Sequence, residues 1–263
     1  MAQSEPKEKG RLSAQDYYDR PCAEFPLASR ILIRVIEVIV YAFTKLYWRW
    51  TLDGPNPFRR EREQGSPALG RVVVANHASM LDPVVLILAA MREGRSLRPL
   101  YKSEFDKSGV ATWLFSRVGA MPIRRDTADM KAIRRAVKAL KAGDDICIFP
   151  EGTRIKDPLA RPKLHGGFAM IAQMAGCEVV PAAIDGSEAI VPSGKGPSRP
   201  AKVRVRFGEP VRFSEVGGSG RREQAENMEA EAMRRVYAMR AELRAEHGKP
   251  AGLPGAPAGG EAR

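Results

Sequence analysis

The sequence predicts an α/β sandwich on a largely parallel, or mixed, central sheet, preceded by an N-terminal amphipathic helical arm. Two patterns carry that prediction. From residue 71 onward, short β-branched runs alternate with stretches of helical periodicity, the pattern of helices packed on a parallel sheet. Ahead of them, residues 25–52 are apolar but interrupted at helical spacing by Arg30, Arg34, Glu37, Lys45 and Arg49. A chain of 263 residues has room for one good-sized domain with additions.

Residues 1–24 are mostly polar and mixed in charge, with no apolar signal-peptide core, and are expected to be a disordered N-terminus. Residues 25–65 form the arm. At about 100° per residue, its five charges fall within a sector of roughly 120°. Ile31, Leu32, Val35, Ile36, Ile39, Phe43, Leu46 and Trp50 occupy the apolar remainder. The longest charge-free run, residues 38–44, is far short of the roughly 18 residues needed to cross a bilayer. The arm is therefore expected to lie on a membrane surface, with Tyr47, Trp48 and Trp50 at the headgroup boundary. The competing expectation is that its apolar face packs on the protein's own core.

Residues 54–57 and 65–67 are turn-forming and precede a domain at 66–247. Its strands are expected at 71–75, 97–101, 120–123, 145–149, 179–184 and 202–207, and its helices at 83–92, 108–117, 127–142, 166–175 and 221–247. The last helix aligns Met228, Ala232, Val236, Met239 and Leu243 on one face and stops at Gly248. Residues 248–263 are low in complexity and expected to be a disordered tail.

Polar turns follow three of the strands in the same sense, where sites form in open α/β sheets. The first, NHASMLDP at 76–83, holds His77 within reach of Asp82. Asp82 ahead of Pro83 suits a helix start, with Ser79 as a rival cap. A carboxylate there can hold one ring nitrogen of His77 while the other faces outward as a base, and imidazole's ordinary pKa near about 6.5 suits that role. The bland alternative is a hydrogen-bonded histidine beside a cap. The second turn, IRRD at 123–126, reads on its own as a solvated arginine pair, Arg124 and Arg125. The third, FPEGTR at 149–154, combines Gly152 for close backbone approach, the Thr153 hydroxyl and the Arg154 fork, which matches phosphate oxygens. Glu151 would repel a phosphate unless paired, or it positions the arginines or a substrate hydroxyl. Lys163 and HGGF at 165–168 open the next helix, whose free N–H groups could receive an anion; His165 reads as a loop histidine.

Lysine and arginine outnumber acids 43 to 31, a formal charge of +12, which points to an anionic partner. Nucleic acid fits poorly, because the basic residues are scattered and the aromatic ones concentrate in the arm. Cys22, Cys147 and Cys177 are odd in number and far apart, so neither a disulfide framework nor a metal site is indicated, and the chain reads as intracellular.

The sets NHASMLDP, GAMPIRRD at 119–126, FPEGTR and VVPAAI at 179–184, in this order, resemble the glycerolipid acyltransferase family with its HxxxxD motif. The nearest likeness is to bacterial 1-acylglycerol-3-phosphate acyltransferases, over residues 70–210. The resemblance implies transfer of an acyl chain from acyl-CoA or acyl carrier protein to a glycerolipid hydroxyl, lysophosphatidic acid being the expected acceptor, with no cofactor. It implies His77 as general base, Asp82 as its orienting partner, Arg125, Glu151, Gly152, Thr153 and Arg154 as acceptor binders, and Pro181 shaping the donor site. An acid often precedes the arginine of the second motif, where this chain has Arg124. Peripheral or monotopic attachment to the cytoplasmic face of the cell membrane, with no transmembrane span, is the matching expectation. Glycerol 3-phosphate or another lysolipid is the alternative acceptor, and an inactive anionic-lipid-binding protein the alternative of another class.

Overall fold

The computed structural model describes residues 12–59, 69–124, 129–155, 162–191 and 196–249. Among these residues, seven strands form one sheet: β1 (Thr51–Asp53), β2 (Val72–Ala75), β3 (Leu97–Lys102), β4 (Met121–Ile123), β5 (Asp145–Ile148), β6 (Val179–Asp185) and β7 (Arg204–Phe207). Their order is β1-β7-β6-β2-β5-β3-β4. Every pairing is parallel except β6 with β7, so the largely parallel, mixed sheet is as expected. The helices are α1 (Ala14–Asp19), α2 (Leu27–Tyr47), α3 (Asp82–Met91), α4 (Gly109–Arg117), α5 (Met130–Lys141), α6 (Phe168–Ala175) and α7 (Arg221–Ala245).

Strand β2 shows why the sequence runs are apolar throughout. Val72 and Val74 face the core beneath α5, α6 and α7, while Val73 and Ala75 face the core beneath α3. All four are fully buried, as a strand covered on both faces must be. On α7, Met228, Ala232, Met233, Val236 and Leu243 supply the buried stripe, as the spacing predicts, and Met239 is half-buried.

Residues 12–24 depart from the expectation of disorder. Ser13 caps α1 in a reciprocal box with Asp16, and Tyr17 and Tyr18 are buried. The anchor is Arg98 of β3, 1% exposed, which donates to the carbonyls of Tyr17, Arg20 and Gly119 and pairs with Asp144 at 3.1 Å. Composition could not reveal this, because the partner lies far away in sequence.

The arm also ends differently. Helix α2 stops at Tyr47; Arg49 takes a positive φ of 40°, and the chain enters β1, an edge strand absent from the sequence reading. Trp48 and Trp50 are therefore buried in the core, not at a headgroup boundary, with the Trp50 indole N–H donating to Thr44 Oγ1 at 3.2 Å. Tyr47 is half-buried and bonds the Ser198 carbonyl. Most of the remaining apolar face is uncovered. Leu27, Ile31, Leu32, Val35, Val38, Ile39, Phe43 and Leu46 are all exposed, whereas Ile36 is half-buried against the body. Among the described residues, no helix is long and apolar enough to cross a membrane.

Candidate active site

Strands β2, β5, β3 and β4 are successive parallel neighbours, so their C-terminal ends share one edge of the sheet. Register pairs Val74 with Ile148; His77 and Glu151, each three residues farther on, thus leave the sheet side by side. Helix α3 begins at Asp82 with Pro83 behind it. The Asp82 carboxylate does not cap forward. It turns back, its Oδ2 accepting the N–H groups of Ala78 and Ser79 at 2.7 Å each and meeting His77 Nδ1 at 3.0 Å. An oxygen already accepting two donors takes the imidazole as a third, which places the proton on Nδ1 and leaves Nε2 with its lone pair. Asp82 is wholly buried, whereas the His77 side chain keeps 16% exposure and leans on the Phe149 ring with centroids 4.4 Å apart. Asn76, also buried, bonds the Ile184 backbone through both ends of its amide and ties this turn to β6.

The FPEGTR turn closes through the Phe149 carbonyl, which accepts the Gly152 N–H at 3.0 Å; Gly152 sits at φ +68°, a conformation that favours glycine. Glu151, assigned by resemblance to the acceptor, is instead turned inward. Its Oε2 accepts the His77 backbone N–H at 2.8 Å and its Oε1 the Tyr237 hydroxyl at 2.9 Å. Side-by-side exit from the sheet explains the inward turn: a backbone donor on one turn faces a carboxylate on the next. The Ile155 N–H donates to the His77 carbonyl at 2.7 Å, so the turns are stitched at two points. Burial pushes the Glu151 carboxyl above its ordinary range, against the pull of the two hydrogen bonds and of Arg240.

His77, Gly152, Thr153 and Arg154 line one cavity of about 860 Å³, together with Lys102 and Glu104. The remainder of its wall is chiefly apolar: Ile36 and Val40 of α2, Val84, Ile87 and Leu88 of α3, Leu100 of β3, and Leu114, Phe115 and Val118 at α4. A base in the wall of a largely apolar cavity that Lys102 and an exposed Arg154 also line suits an amphipathic substrate with an anionic head. A larger groove, about 1810 Å³, lies under α2 at the opposite sheet edge near Arg71 and Cys177, and no described residue of the three polar turns lines it. Cys147 is buried beneath the site, and burial together with Asp82 raises its thiol far above the ordinary range, which removes it as a nucleophile. Among the described residues, no three His, Cys, Asp or Glu side chains cluster as metal ligands.

The remaining predicted positions divide. Arg125 lies outside the described residues. Arg124 is largely exposed, its backbone N–H bonded to Asp129. His165 is an exposed loop residue, its N–H donating to the Pro150 carbonyl. The N-terminus of α6 already has its anion: the Gly167 N–H donates to Glu229 at 2.7 Å, and Gly166 leaves no room for a Cβ against that carboxylate. Pro181 is buried in mid-strand near Gly208 and Met239 and does not line the cavity. Sequence reasoning missed Lys102, Asn76 and Tyr237. Lys102 was findable as a cation at the end of a strand in the same sense; Tyr237 carried no signal, since it follows the core stripe of a helix far away.

Comparison with known proteins agrees with this geometry. Residues 58–185 match the family model described as Acyltransferase. A chloroplastic 1-acyl-sn-glycerol-3-phosphate acyltransferase of Brassica napus is 32% identical over 203 residues, 70% of this chain and 58% of that protein. A lyso-ornithine lipid O-acyltransferase of Pseudomonas aeruginosa is 32% identical over 152 residues, 57% of each. The chain thus spans less than two thirds of either relative. The crystal structure of the 1-acyl-sn-glycerophosphate acyltransferase PlsC from Thermotoga maritima superimposes with a TM-score of 0.58 at 27% identity, covering 80% of both chains. The HxxxxD and FPEGTR turns that meet at one end of the sheet both lie inside residues 58–185, the stretch that matches the acyltransferase family.

Proposed function

We propose that the protein moves a fatty acyl chain from acyl-CoA or acyl carrier protein to the sn-2 hydroxyl of 1-acylglycerol 3-phosphate, giving phosphatidic acid for phospholipid synthesis. The observation that carries this reading is His77, held at Nδ1 by buried Asp82 and opening onto an apolar cavity beside Lys102 and Arg154. His77 Nε2 takes the hydroxyl proton as the acceptor oxygen attacks the thioester carbonyl carbon. The C–S bond then breaks, and the leaving thiolate takes the proton back from the imidazolium. The thioester supplies an activated carbonyl, so no covalent enzyme intermediate is needed. Asp82 orients the ring and stabilises its charged form, and Glu151 holds the backbone from which the ring projects. The apolar wall receives the acyl chain, and Arg154, Lys102 and Arg125 receive the acceptor phosphate. The exposed apolar face of α2 brings the site to the cytoplasmic membrane leaflet that holds the acceptor.

The Pseudomonas relative's name keeps another lysolipid acceptor in view. The cations beside His77 favour a phosphorylated headgroup. Arg154→Ala is expected to raise KM for lysophosphatidic acid about tenfold, the loss of one charge-assisted hydrogen bond at a solvent-facing position, with KM for the donor within twofold. Kinetics titrating each substrate separately check this. Equal losses for both substrates would remove Arg154 from the acceptor site.

A further inference from the structure

We propose that Tyr237 of α7 is a positioning residue for His77, acting through Glu151, so that a helix outside the matched stretch completes the active centre. The proposal rests on the acyltransferase reading. The path is short and complete: the Tyr237 hydroxyl donates to Glu151 Oε1 at 2.9 Å, and Glu151 Oε2 accepts the His77 backbone N–H at 2.8 Å. Glu151 is 3% exposed, so water offers no substitute for either bond. With one oxygen on the base's own backbone and the other on α7, the carboxylate sets the height of the β2–α3 turn over the sheet.

Arg240, one turn farther along α7, favours the same arrangement. It is 5% exposed, its Nε and Nη2 have no partner among the described residues, and its charge pulls the pKa of both Glu151 and Tyr237 down against the larger upward push of burial. A buried cation beside a buried carboxylate opposes the burial that disfavours its charge, and so favours the ionised form that accepts most strongly from the His77 N–H. Helix α7 is otherwise bound through its apolar stripe to the core it shares with α5 and α6 and through Arg244 to Asp185 at 3.1 Å. The Tyr237 hydroxyl is thus not needed to dock the helix.

The test is a double-mutant cycle on turnover in the full-length protein, with acyl-CoA and lysophosphatidic acid. Tyr237→Phe is expected to lower kcat about tenfold, the effect of a small displacement of the base, with KM for both substrates within twofold. Glu151→Gln, which presents an NH2 group to one of the two donors, is expected to cost more than tenfold. In that background the further effect of Tyr237→Phe is expected to shrink below twofold, because the two residues act as one unit. Val236→Ala, a core change one residue away, controls for packing and is expected to lower the melting temperature while leaving kcat near the parent's. Parent-like kcat in Tyr237→Phe, additive losses in the cycle, or an equal fall in Val236→Ala would each overturn the positioning role. Absence of acyl transfer by the parent would instead overturn the acyltransferase reading.

Discussion

Replacing His77 with alanine is expected to lower turnover by roughly two to four orders of magnitude, the usual contribution of a positioned general base. The fold should survive, because the His77 backbone bonds to Glu151 and Ile155 do not involve the imidazole. Asp82→Ala has a different signature. It removes the ring's orienting partner and also strips two buried backbone donors, Ala78 and Ser79, of their acceptor. Each orphaned donor costs about 1–3 kcal/mol, so this variant should lose both turnover and thermal stability. Single-turnover kinetics beside thermal melts separate the two. Parent-like turnover in a well-folded His77→Ala protein would take the base out of the mechanism.

The second large effect concerns the membrane. Ile39 and Phe43 are 63% and 53% exposed on α2, two positions of a continuous apolar face, with the Phe43 ring also stacked on Tyr47. Changing both to Asp removes about 1.5–3 kcal/mol of burial apiece before any cost of inserting charge, so vesicle partition should weaken roughly a thousandfold. Basic residues near an anionic surface add on the order of 1 kcal/mol each, a minor share, so high salt alone should leave the parent on vesicles while detergent releases it. Ile36→Asp is the contrasting variant. Ile36 lines the cavity, so this change should depress turnover even in detergent and leave vesicle flotation intact. Flotation of the Ile39/Phe43 double variant as strong as the parent's would place the membrane contact elsewhere.

The patterns that repeat locally were legible. Val72 to Ala75 announced a strand buried on both faces, the α7 stripe announced its packing, and His77 and Asp82 announced their bond through spacing and the Pro83 helix start. What stayed hidden depends on partners distant in sequence. Glu151 carries a formal charge that suggests a ligand; its inward turn follows from the β2–β5 register and from Tyr237, neither of which local sequence encodes. Trp48 and Trp50 match the composition of an interfacial belt, and only the reversal at Arg49 into β1 sends them into the core. Residues 12–24 look unstructured because their anchor, Arg98, belongs to the middle of the domain.

One measurement bears most directly on the central claim. Purified protein is incubated with labelled acyl-CoA or acyl carrier protein donor and a panel containing lysophosphatidic acid, glycerol 3-phosphate, a lysophospholipid and lyso-ornithine lipid, and the acylated product is identified by mass. The expected result is phosphatidic acid from lysophosphatidic acid, formed faster than any other product and lost in His77→Ala. Acylation of a non-phosphorylated acceptor in preference would contradict the acceptor assignment, and no acylation of any acceptor by folded, vesicle-bound protein would contradict the enzyme itself.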